Sequence, residues 1–386
     1  ITLAGNWTGQ AASATVFIPR QGEVIFNGAG NQTVTFDDLA TNPFYNVTIN
    51  KAGGSVQTTS NHPYVIQNNL VITSGTFDPW GRVIYIGGDL NNTGGSIVTS
   101  GTLNFNKSSG ATASIRTNNA TLNNVVINST SNAVYTLQDN MTVINNFTLT
   151  QGTFDGNGKT VTLGDGATDA VTIDGIYKVG AGGRLALGNG TSLTVNAGGT
   201  IEVVGTSGNL AAVTRNASGG NYNFQVNGNI AARYCMFEYM SAGGIYLTAT
   251  ATIDNVNNFS YATFTNGANN GVLLRVENSQ SFTAPNYITD ASFPVVPGGS
   301  SFNVRKISSS SGTLEFWNAT GLFAGESFDD DPNNLIIWTG PVTLTWNGSQ
   351  GTDWYNPNNW TPSAGPPIVP TGNENVIIAA AVNQPV

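Results

Sequence analysis

Asp329, Asp330 and Asp331 form the densest group of acidic side chains in the chain, and Pro332-Asn333-Asn334 follows them. Hard oxygen ligands on a tight turn suit Ca²⁺, so these three residues are the candidate metal ligands. The run lacks the alternating spacing of a calcium-binding loop, and a solvated turn is the competing reading. Asp165, Asp169 and Asp174 make a second, sparser set. Arg275 and Glu277 flank Val276, a spacing that suits a surface ion pair better than an acid/base couple. His62 is the only histidine, in Ser60-Asn61-His62-Pro63, and any Ser-His-Asp or Cys-His system would have to use it. No neighbouring nucleophile marks such a system. Cys235 is the only cysteine, which excludes an intrachain disulfide and a Cys-based metal site. It alternates with Phe237 and Tyr239 and reads as a buried, inert thiol. No residue is assigned a catalytic role, and no cofactor is expected beyond that possible Ca²⁺.

Aromatic side chains carry the other chemistry. Trp338, Trp346, Trp354 and Trp360 fall close together in the sequence. Exposed rings would stack on sugars, which makes surface glycans a candidate partner. The even spacing of Ile336 with Trp338, and of Val342, Leu344 and Trp346, instead places these rings on common strand faces and favours packing in a core or a module junction.

Strands must position all of these residues. Val47 and Ile49, Leu70 and Ile72, Val83 and Tyr85, Val161 and Leu163, Leu193 and Val195, and Ile201 and Val203 alternate with polar residues at period two. Asn68-Asn69, Asn91-Asn92, Asn123-Asn124 and Asn145-Asn146 sit where corners are expected. There Asn tolerates the left-handed conformation and its amide can stack as a ladder between coils. Gly-Thr followed by an apolar residue recurs at 75–77, 101–103, 152–154 and 199–201, near multiples of about 25 residues, a length suited to one solenoid coil. Segments 22–27, 46–50 and 74–78 match 101–106, 124–128 and 151–155. Each pair lies about 78 residues apart, the length of three such coils, which suggests two units of three coils. From Gly180 to about Ile337 the pattern changes to longer, less exact coils of short strands.

The fold expected is all-β, an elongated right-handed parallel β-helix or β-solenoid with a β-rich module junction at the C-terminal end; a two-sheet sandwich is the alternative. Residues 1–179 read as a repetitive β-solenoid region of two units of about 78 residues after an N-terminal Trp segment. Positions 180–340 read as parallel β-helix, and 341–386 as a Pro-broken linker and the start of the next module. That last reading rests on a long-range match. Asn6-Trp7-Thr8, Phe17-Ile18-Pro19, Val24-Ile25-Phe26 and Gln32-Thr33-Val34 recur in the same order near the C-terminus as Asn359-Trp360-Thr361, Val369-Pro370, Val376-Ile377-Ile378 and Gln384-Pro385-Val386, at a nearly constant offset. Neighbouring modules or subunits, joined end to end, are therefore the first partners expected.

Only 9% of residues are charged and the net charge is −9, and the few Lys and Arg do not cluster, which argues against nucleic acid. No apolar run approaches the roughly 18 residues of a membrane span, so no membrane insertion is expected. Trp346-Asn347-Gly348-Ser349, Asp353-Trp354, Asn359-Trp360, Pro370 and Asn375-Val376-Ile377-Ile378, with Phe26-Asn27-Gly28, Gln32-Thr33-Val34 and the Gly-Thr-Phe-Asp repeats, resemble giant repetitive surface proteins of Bacteroidota. These are gliding-adhesin-like filaments of the type IX secretion type. The resemblance implies an extracellular, cell-surface location and a structural or adhesive role as stalk or polymer unit. A β-helical polysaccharide lyase or glycoside hydrolase is the alternative, and would need clustered carboxylates and a base in a cleft.

Overall fold

The computed structural model describes the chain except residues 10–16, 37–41, 60, 109–111, 131, 167, 308–310, 342, 363–366, 372–373, 379–382 and 386, and the side chain of Phe36. Ser60, Val342 and Val386 of the segments above lie outside the described residues.

Nearly every described strand pairs in parallel with the strand one coil later, and the chain winds into an all-β solenoid of about 14 turns. With hydrogen-bonded strands roughly 4.8 Å apart, a stack of that many turns is about 67 Å long. Each coil has three faces. The first is an 11-stranded sheet from Tyr64–Ile66 to Phe302–Arg305. The second runs from Thr2–Leu3 to Thr252–Asn258. The third, from Thr121–Leu122 to Ala262–Thr265, is a 7-stranded sheet. In the early coils the strands Asn46–Thr58 and Leu70–Asp78 run round the corner between second and third faces and join both into one sheet. All three sheets continue through residue 180, where loop lengths change but the stacking does not.

Alternation sets which side chains point inward. On the first face Leu103, Val125, Phe147, Val171 and Leu193 align in one column, and on the second Tyr135, Phe154, Tyr177, Ile201 and Ile230 do so. These columns belong to one core that is continuous from Val24 to Ile336. Each buried aliphatic or Phe side chain contributes roughly 1.5–3 kcal/mol, so the stack is held by apolar columns while parallel backbone ladders set its register. Within the stack Asn68 Nδ2 donates to Asn46 Oδ1 at 2.9 Å, Asp89 N to Asn69 Oδ1 at 2.8 Å, and Asn146 N to Asn124 Oδ1 at 3.1 Å. These amides form the expected ladder between coils.

Four expectations of register need correction. The Gly-Thr motifs do not mark one column: Phe77 pairs with Val56 and Ile97 on the third face, Leu103 with Ile84 and Val125 on the first, and Phe154 with Tyr135 and Tyr177 on the second. The longer matches likewise carry Glu23–Phe26 and Asn46–Asn50 from the second face onto first-face strands Thr102–Phe105 and Asn124–Asn128. They are therefore not a repeat of whole coils. All three faces ask for the same alternation, so matches between faces form as readily as matches within one. Next, Ile84 and Ile86 are the inward residues, while Val83 and Tyr85 are half-buried. All four residues are apolar, which leaves the phase open. Finally, left-handed backbone occurs at Asn118, Asn119, Asn157, Asn266, Asn270, Asn318 and Asn334 and at none of the four Asn pairs, which work through their side-chain amides. Asn92 is fully buried, its Nδ2 donating to Thr117 O at 2.9 Å while its Oδ1 accepts Gly95 N–H at 3.0 Å.

After Ile336–Thr339 the chain leaves the stack. Thr343–Trp346 pairs antiparallel with Trp360–Pro362 and parallel with Asn375–Ile377. Leu344, Trp346 and Trp360 form a separate small core against Trp354 and Ile368. The Val376-Ile377 segment thus has a neighbour within the chain, the strand Thr343–Trp346.

Candidate functional site

The Asp329–Asp331 turn lies beside the last coil, next to the short 3₁₀ turn Glu326–Phe328. The three aspartates do not converge. Asp330 Oδ2 accepts Arg305 Nε–H at 2.7 Å, and the two residues also bridge through their backbones. Asp329 and Asp331 instead meet Glu326, and one carboxylate oxygen from each of the three lies within 4.8 Å of the others. Asp331 Oδ2 also accepts Ile336 N–H at 2.6 Å, and Asp329 Oδ2 accepts Trp338 Nε1–H at 2.6 Å. Burial pushes the Asp329 carboxyl up to about 6; the Trp338 N–H opposes that shift, and the charges of Asp331, Glu326 and Asp330 add to it. Three carboxylates at this spacing could share a hard cation through oxygen, with Glu326 in the place expected of Asp330. Glu326 sits three residues before Asp329, and the run Gly325-Glu326-Ser327-Phe328 was the signal available for it.

The other sequence candidates have structural partners. Asp169 Oδ2 accepts Asp165 N–H at 2.7 Å and Gly166 N–H at 2.8 Å, closing its own turn, and Asp174 Oδ1 accepts Asn196 Nδ2–H at 2.9 Å. Arg275 pairs with Glu277, whose other oxygen accepts Tyr246 O–H at 3.0 Å, and the guanidinium carbon lies 4.3 Å from the Tyr246 ring centre. His62 is exposed in its turn. Cys235 is fully buried in the strand Cys235–Glu238, and burial pushes its thiol up. Trp338 stacks on Phe316 at 4.7 Å in the main core, and Trp346 and Trp354 pack edge-on against Trp360 at 4.9 and 4.7 Å. These rings serve packing.

Sequence reading missed a feature of the second face. Ile230 pairs with Ile253 but Ala232 with Asn258, so the extra residues 254–257 bulge outward. Asp254 Oδ1 accepts the N–H groups of Val256 at 3.0 Å and Asn257 at 2.7 Å and holds that bulge in shape. It stands between two open concavities. One, of about 430 Å³, is lined by Glu202, Asn229, Thr252 and Asp254 among others, and Glu202 is paired with Lys178 at 3.2 Å. The other, of about 270 Å³, is lined by Arg233, Asn255, Val256, Tyr261, Asn286 and Tyr287 among others. Beside it Tyr234 and Tyr261, one coil apart, stack at 4.4 Å, and Tyr287 and Trp317 stack at 6.4 Å.

Fold and side chains together define a parallel β-solenoid with a separate small β-sheet unit after its last coil. In comparison with known proteins the chain matches no family model, no curated protein and no solved structure.

Proposed function

We propose that the chain is a structural unit of an extracellular, bacterial cell-surface adhesin or filament, of the gliding-adhesin-like kind in Bacteroidota, and that it works as a stalk or polymer unit joined end to end to its neighbours. One observation carries the reading. In the strand Glu23–Phe26 the inward residues Val24 and Phe26 are 2% and 0% exposed, with Ile25 half-buried between them, whereas all three residues of the counterpart Val376-Ile377-Ile378 are uncovered, at 39%, 51% and 48% exposure. A sequence that forms part of a covered coil at one end is uncovered at the other, and open solenoid ends are normally capped, paired or continued. Covalent continuation or contact between copies would cover it.

The test is assembly state, by light scattering and electron microscopy, of the chain with and without residues 341–386. Strings or pairs joined at their ends that vanish on truncation support the reading. A monomer in both forms contradicts contact between copies.

The second reading, a polysaccharide lyase or hydrolase, has one observation in its favour, the concavity bearing Glu202 and Asp254. Both carboxylates already have partners, Lys178 for one and two backbone N–H groups for the other. Product release from a polysaccharide that is abolished by Glu202→Gln or Asp254→Asn would favour the enzyme.

A further inference from the structure

We propose that the concavity between the 254–257 bulge and Tyr287 is a binding subsite for a carboxylate-bearing saccharide, such as a uronate within an oligosaccharide. This gives the adhesive part of the reading above a ligand class. It rests on local geometry alone, so it stands or falls separately from end-to-end assembly.

Charge comes first. Among the described residues, Arg233 is the only formally charged side chain in the lining. Its Nη1 donates to Val256 O at 2.9 Å, and its guanidinium carbon lies 5.4 and 5.3 Å from the ring centres of Tyr234 and Tyr261. None of the ion pairs among the described residues includes it. The stacked rings and the Val256 carbonyl hold the guanidinium in place, and its remaining N–H donors suit a planar carboxylate, which arginine binds through two parallel bonds.

Polarity comes second. The side chains of Asn255 and Asn286 and the hydroxyl of Thr289 line the same space with no hydrogen-bond partner among the described residues. Carboxamides and hydroxyls both donate and accept, which is what sugar hydroxyls require. The half-buried Tyr261 and Tyr287 rings and Val256, which is 66% exposed, add apolar surface for the C–H face of a pyranose.

Shape comes third. The site is an open notch about 270 Å³ in volume on the flank of the stack, so one sugar unit can enter while the chain on either side stays in solvent. The bulge is fixed by Asp254, and Asn258 Nδ2 donates to Tyr287 O at 2.9 Å across the coils. The notch therefore exists before any ligand arrives, which lowers the ordering cost of binding.

The experiment is isothermal titration of the full chain with an oligogalacturonate, a neutral β-glucan oligosaccharide of the same length, and inorganic phosphate. Saturable binding of the oligogalacturonate alone is expected. Arg233→Gln should weaken it about tenfold or more, the size of a lost charged hydrogen bond. Tyr287→Ala should weaken it several-fold, and Arg116→Gln on an earlier coil should leave it unchanged. Circular dichroism of each variant checks folding, and a misfolded Tyr287→Ala leaves Arg233→Gln to decide. Absence of oligogalacturonate binding, equal binding of the neutral oligosaccharide, equal binding of phosphate, or binding that survives Arg233→Gln would each overturn the proposal.

Discussion

The two ends of the molecule use related sequence in opposite ways. At the N-terminal end Trp7 packs edge-on to Phe17 at 5.0 Å and Phe44 at 5.1 Å, and its strand pairs in parallel with Gln32–Phe36, inside the ladder of coils. At the C-terminal end the matching Trp360 packs with Trp346 and Trp354, and its strand pairs antiparallel with Thr343–Trp346. One motif joins a stack whose neighbouring coils cover it; the other closes a small core of its own and leaves its Val-Ile-Ile strand open. Local sequence thus selects strand and aromatic cluster, while the coils available on either side select parallel or antiparallel pairing.

The largest effect expected from this contrast is on stability. Phe26→Ala, like Phe154→Ala, removes a fully buried ring from the core and should cost about 3–5 kcal/mol. Ile377→Ala, at the matching but exposed end, should stay within about 0.5 kcal/mol. Chemical denaturation of both variants measures the difference, and equal losses would mean that the two ends are equally covered.

Next in size is the polar interior. Asn92→Ala leaves Thr117 O and Gly95 N–H without the partners they have now and should cost about 1–3 kcal/mol. Asn375→Ala, on the exposed end strand, should be near neutral. A near-neutral Asn92→Ala would show that water replaces the amide and that burial there is incomplete.

The smallest effect is the pH response at the last coil. Because the Asp329 carboxyl is raised from an ordinary 3.8 to about 6 in the folded chain, the folded state holds its proton more tightly than the unfolded state does. Its contribution therefore favours folding at acidic pH and declines as pH rises from about 4 to 6. Asp329→Asn should flatten that part of the stability profile, and Asp353→Asn, in the C-terminal unit, should not. An unchanged slope in Asp329→Asn would assign it to other groups.

Much of the fold was legible because a solenoid repeats simple rules. Period-two runs such as Val161 with Leu163 and Leu193 with Val195 point inward as expected, the Asn pairs form ladders, and the Trp cluster packs. Register was not legible, because coils differ in length: the step from Ile84 to its partner Leu103 is much shorter than the step from Leu193 to Phe224. Any fixed period therefore drifts from face to face. The sites were hidden by distance along the chain. Arg233, Tyr261 and Tyr287 meet because they lie on successive coils, and Asp330 leaves the acidic group because Arg305 lies one coil away. Neither relation has a signature in local spacing.

The central claim, that the open C-terminal strand of one unit meets the N-terminal edge of another, is tested most directly by disulfide trapping. Cys235 is fully buried, so introduced thiols report alone. Leu3→Cys lies on the first edge strand of the long sheet and Ile377→Cys on the open C-terminal strand. Mixed under mild oxidation, the two variants should give a cross-linked pair of one of each, well above the same-variant pairs. Same-variant pairs only, or no pairs at concentrations where the unmodified chain self-associates, would contradict end-to-end joining.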